Sequence, residues 1–100
     1  MAFESGTLET TIAAAAGDDP ALISELRAAF IESVARQVDL LSRSRCDGNW
    51  HVAAMRLKGL AASFHVEKLI ALSEEALQAA TGEPGIVRHL QAFVKEFSAD

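Results

Sequence analysis

The stretch Ala54-Met55-Arg56-Leu57-Lys58-Gly59-Leu60-Ala61-Ala62-Ser63-Phe64-His65 decides the fold of this chain. Wound as a helix at about 100° per residue, it sorts its side chains onto two faces. Trp50, Ala53, Leu57, Leu60, Ala61 and Phe64 gather on one side and form the expected core face. Opposite them lies Met55, with His51 one turn earlier, Gly59 one turn later and Ala62 after that, while Lys58 sits on the flank. The side that should meet water therefore carries a thioether, small residues, one lysine and one histidine.

The same residues resemble a family. Histidine-containing phosphotransfer (HPt) domains carry a helix reading roughly A-H-x-L-K-G-x-A-x-x-x-G, and Ala54, Leu57, Lys58, Gly59 and Ala61 match it in register. Met55 stands where that family has its phosphorylated histidine, and His65 where it usually has glycine. The Asp19-Pro20 helix start, Trp50 just upstream of the motif and the spacing to Leu69 extend the resemblance over residues 18 to 97. It implies an all-α fold: an antiparallel up-down-up-down four-helix bundle with a short N-terminal capping helix, in one domain spanning residues 1–100. It also implies partners, a response-regulator receiver domain or a histidine kinase, met through His51, Val52, Met55, Lys58, Gly59 and Ala62.

Composition sets outer bounds. The 100 residues suffice for a single core without disulfides. Half are hydrophobic, tyrosine is absent and only two are proline, a balance that favours helices over sheet. A net charge of −5 argues against nucleic acid as partner, since phosphate neutralisation needs cations. The lone Cys46 rules out an internal disulfide and suits a reducing compartment. No apolar run approaches the ~20 residues of a membrane span, and the start lacks the pattern of a signal peptide. The expectation is a small cytoplasmic protein, complete in itself, with no cofactor, no resident metal and an oligomeric state left open.

Along the chain, residues 1 to 6 are expected to be loose and Thr7 to Ala16 a short helix, with Leu8 and Ile12 inward and Gly17 as its stop. Asp19-Pro20 starts a second helix to about Ser44, its stripe formed by Ile23, Leu26, Phe30, Val34, Val38 and Leu41. Cys46-Asp47-Gly48-Asn49 reads as a turn, with Asp47 or Asn49 capping a third helix that runs from about Asn49 to Phe64 and leaves His65 in the C′ position. A fourth helix from Glu67 to about Ala80 directs Leu69, Ile70, Leu72, Ala76 and Leu77 inward. After the turn Thr81-Gly82-Glu83-Pro84, a fifth carries Ile86, Leu90, Phe93, Val94 and Phe97 on one face. No repeat or low-complexity tract interrupts the pattern.

The chemistry turns on Met55. Phosphotransfer of the HPt kind needs an imidazole lone pair near neutral pH, and a thioether forms no such transferable phosphoryl bond. The expectation is therefore a non-enzymatic module, a pseudo-HPt that binds a phosphorelay partner without relaying phosphate. Gly59, costing about 1 kcal/mol inside a helix, leaves room either for a partner's loop or for a neighbouring helix; its outward position favours the partner. Lys58 either helps offset a phosphoryl charge or is a solvated surface lysine. His51, about 6 Å along the helix from Met55, is the alternative acceptor, although such a displacement misaligns in-line transfer. His65, about 15 Å along, is a less suitable one and reads as a cap. His89 near Arg88, and the Glu74-Glu75 pair, read as solvated surface, and no set of side chains has metal-ligand spacing. A purely structural or dimerising bundle is the remaining alternative.

Overall fold

A computed structural model describes the backbone of residues 2–98 and the side chains of residues 8–98. Five helices follow in order: α1 (Ala2–Ala16), α2 (Pro20–Ser42), α3 (Asp47–Ser63), α4 (Glu67–Gln78) and α5 (Pro84–Ser98). No strand occurs among the described residues. The class is all-α, as the composition and periodicity led one to expect.

Local chemistry explains most of the helix ends. At the start of α2 the Asp19 carboxylate accepts from the Ala21 N–H at 3.0 Å and the Leu22 N–H at 3.4 Å, and Pro20 occupies the first turn without needing a donor. The end of α3 is a Schellman closure: the Val66 N–H donates to Ala61 O at 2.9 Å and the His65 N–H to Ala62 O at 3.3 Å. His65 takes φ +58° to make that turn, the left-handed conformation expected at this position. At α5 the Glu83 side chain accepts from the Ile86 N–H at 2.9 Å.

Four expectations about boundaries need correction. α1 begins at Ala2 rather than Thr7, so residues 2 to 6 are helical; Met1 lies outside the described residues. α2 ends at Ser42 and α4 at Gln78, short of Ser44 and Ala80. α3 starts at Asp47, and neither Asp47 nor Asn49 caps it; Cys46 holds the N-cap position without a side-chain hydrogen bond. The Asp47 carboxylate accepts instead from the Thr81 hydroxyl, linking the start of α3 to the loop before α5.

The helices pack α2 on α3, α3 on α4, α4 on α5 and α5 back on α2, with α1 laid against α2. The body measures 43 × 22 × 20 Å, its long dimension set by α2, about 35 Å of helix. Phe30, Val34, Val38 and Leu41 from α2 meet Trp50, Ala53 and Leu57 from α3, Leu69 from α4, and Ile86, Leu90, Phe93 and Phe97 from α5, all buried. Each large apolar side chain so enclosed contributes about 1.5–3 kcal/mol. Ile23, Leu26, Leu60, Phe64, Ile70, Leu72, Leu77 and Val94 are only half-buried, because they stand on the flanks of their helices' apolar arcs. Leu8 and Ile12 of α1 join the same cluster, the inward placement expected from the sequence. The Arg27 guanidinium of α2 also pairs with Glu9 of α1 at 3.0 Å.

Two buried alanines of α3 were not foreseen as a unit. Ala54 and Ala61 are both 0 % exposed, as is Ala76 of α4. Methyl side chains at these positions let the α3 and α4 backbones approach closely, and this leaves the opposite edge of α3 raised toward solvent.

Candidate functional site

That raised edge is where the residues singled out from sequence come together. Met55 is 46 % exposed at its crest, and Val52, one turn earlier, is 46 % exposed beside it. His51, Gly59 and Ala62 are exposed as well, and Lys58 is half-buried. All six candidate residues thus lie on one accessible ridge, and the methionine sulfur is not part of the core.

The ridge has two flanks of different character. Toward α4, Lys58 Nζ reaches Glu74 at 3.5 Å, an exposed pair worth a few tenths of a kcal/mol. Glu74 is exposed, as its reading as solvated surface had it, and its carboxylate faces the ridge lysine. On the same flank His51 borders a cleft with Trp50, Leu77, Ala79 and Thr81. Toward α2, Val52 and Gly59 border two hollows along the α2–α3 seam.

Gly59 has open space where a side chain would begin. A Cβ built on it would meet nothing within 4 Å. The alternative that this glycine serves helix–helix packing within the chain is excluded by that geometry. His65 stands at the far end of α3, exposed and committed by its backbone to the turn. His89 is exposed on α5 and shares a groove with Lys68, Leu72 and Phe93, away from the ridge.

Among the described residues no group of three or more His, Cys, Asp or Glu side chains could hold a metal ion, and no helix is long and apolar enough to cross a membrane. What the ridge offers chemically is a flexible thioether, a valine, an open glycine notch, a lysine and, one turn before Met55, the exposed imidazole of His51. Sequence reasoning missed the arginines beside it. Arg36 on α2, Arg43 seven positions on at its C-cap, and Arg56 on α3 border the seam hollows. The seven-residue spacing is a signal that they share a helix face, but only packing places that face next to α3.

Compared with known proteins, the chain matches no family model, no curated protein and no solved structure.

Proposed function

We propose that this chain is a phosphorelay adaptor without relay, an HPt-like antiparallel up-down-up-down bundle that binds a response-regulator receiver domain or a histidine kinase through the Met55/Gly59 face. It acts as a single domain in the cytoplasm, occupying its partner's docking surface as decoy, adaptor or inhibitor. One observation carries the reading: the side chain at the position where the resembled motif has histidine is exposed, on a ridge whose glycine notch nothing in the chain fills. Exposure there is required for recognition, and the thioether removes the phosphoryl chemistry while leaving the contact.

The test pairs binding with transfer. The protein is titrated against purified receiver domains from the same cell, and incubated with phosphorylated receivers and kinase. Binding that Met55→Asp abolishes, with no label on this chain, supports the reading; absence of binding to every receiver and kinase refutes it. A second reading keeps phosphotransfer with His51 as acceptor, favoured by that imidazole being exposed one turn from Met55. Acid-labile label that disappears in His51→Ala, and not in His65→Ala, would establish it. Partner binding untouched by both Met55→Asp and Gly59→Arg would leave the structural, dimerising reading in possession.

A further inference from the structure

The α2–α3 seam beside the ridge combines features that the proposed contact face does not itself use. Its two hollows follow one another along the α2–α3 seam, with Gln37 and Arg56 bordering both, and are treated together as one groove. Along α3 the groove runs from Asn49 to Ser63, about 21 Å of helix, or four turns. Four large apolar side chains are exposed among the described residues, and three of them stand here: Leu40 and Val52 border the groove, and Met55 rises beside Val52.

The charge along this groove opposes that of the chain. The protein carries −5 overall, with 14 acidic residues against 9 basic ones. Yet Arg36, Arg43 and Arg56 all line the seam. Arg36 and Arg56 make no ion pair or hydrogen bond among the described residues. Arg43 engages only Asp39 of its own helix, at 2.9 Å, in an exposed pair that exchanges readily with a stronger one. Gln37, bordering both hollows, leaves its buried Oε1 without a donor. An acid-rich chain that keeps two cations unpaired beside exposed leucine, valine and methionine presents a surface complementary to something both apolar and anionic.

Resting on the reading of the Met55 face as a docking surface, we propose that the α2–α3 groove receives an acidic amphipathic helix of a partner protein, about four turns long. Its apolar stripe covers Leu40, Val52 and Met55, and its flanking carboxylates meet Arg36, Arg43 and Arg56 in bidentate pairs. A helix suits the site because Leu40, Val52 and Met55 ask for an apolar stripe, which a helix supplies with anchors every three or four residues. Arginine is the fitting cation, since its planar fork fixes the partner's register as well as its charge.

The experiment uses a fluorescein-labelled helical peptide of about fourteen residues with leucines at three- and four-residue steps and glutamates on both flanks, and a twin carrying lysines instead. Anisotropy titrations are run on the whole chain, with circular dichroism confirming that each variant is folded. The expected result is that the acidic peptide binds and the lysine twin binds at least roughly tenfold more weakly. Arg36→Glu with Arg56→Glu should weaken the acidic peptide by a similar factor, while Lys68→Glu with Lys95→Glu, the same double charge reversal on the α4–α5 groove, should leave it in place. Raising salt from about 50 to about 300 mM should weaken it too. Equal binding of the two peptides, no binding of either, or equal loss in the double lysine variant overturns the proposal. So does sedimentation showing a dimer that the double arginine variant dissociates, because the occupant is then a second copy. Receiver titrations keep the two ideas apart. A receiver that binds through Met55 with no loss in the arginine variant removes the groove and spares the adaptor reading. An acidic peptide held by the arginines, with no receiver bound, does the reverse.

Discussion

The indole Nε1 of Trp50 donates to the carbonyl oxygen of Ala76 at 2.8 Å, tying the first turns of α3 to the last turn of α4. The bond is buried and joins residues far apart in sequence, so it fixes the rotation of α3 about its own axis. That rotation is what turns Ala54 and Ala61 inward and Met55 outward. Trp50→Phe should cost about 1–3 kcal/mol through the lost donor and the reduced packing. Urea unfolding followed by circular dichroism measures it. A cost near zero would mean that the hydrogen bond does not hold the helix in register.

Gly59→Ala separates stability from recognition. With nothing within 4 Å of the new methyl, the variant should gain about 1 kcal/mol of helix stability. Gly59→Arg should leave the fold intact and block partner binding. Destabilisation by alanine, read as a lower urea midpoint, would show that the notch serves the fold after all.

Met55→His supplies the missing nucleophile on an exposed crest flanked by Lys58 and Gly59. The variant should keep wild-type stability within about 0.5 kcal/mol, as surface substitutions do. It should take up acid-labile label from a phosphorylated receiver that binds the wild type. A folded, receiver-binding variant that stays unlabelled would place the defect beyond residue 55.

His65 holds φ +58° where glycine does so at less cost. His65→Gly should stabilise the chain by up to about 1 kcal/mol, since relief of the left-handed strain outweighs the added freedom of the unfolded chain. His65→Val should destabilise it, because a β-branched residue resists that conformation. Thermal midpoints of the two variants, shifted in opposite directions, are the readout.

Glu83 gives the chain an acid-sensitive cap. The Ile86 N–H, then the Gly85 N–H, hold its carboxyl below the ordinary value of 4.5 against an opposing effect of desolvation, and the charges of Arg88 and His89 add smaller lowering effects. A folded-state pKa below the unfolded one means that the contribution is fully present above 4.5 and is lost as pH falls through the lower, folded value. The stability difference between wild type and Glu83→Gln should therefore be largest near neutrality and shrink on acidification. Urea midpoints of both proteins at several pH values test the sign; a gap that widens in acid would contradict it.

Much of this was legible beforehand. The apolar steps of α2 and α5 name their own buried faces, and Phe30, Val34, Val38, Leu41, Ile86, Leu90, Phe93 and Phe97 are all enclosed. Asp19-Pro20 announces a helix start because its capping bonds are local. The cap of α3 was misread for the same reason in reverse: Asp47 looks like a local acceptor, but Thr81 from a distant loop claims its carboxylate. Ala54 went unnoticed as core because, at about 100° per residue, it stands at the edge of the arc that Leu57, Leu60 and Phe64 define. Its burial depends on α4 lying close, which no pattern within α3 can state.

From the sequence by itself followed the helices, their inward stripes and the exposed strip of His51, Val52, Met55, Gly59 and Ala62, since all of these depend on interactions within a few residues. Only the tertiary structure decided that Trp50 reaches Ala76, that Lys58 pairs with Glu74 and that the arginines of α2 stand beside those of α3. The reason is physical: periodicity determines which face of a helix is apolar, but which other helix covers that face, and at what rotation, is settled by packing between segments remote in the chain.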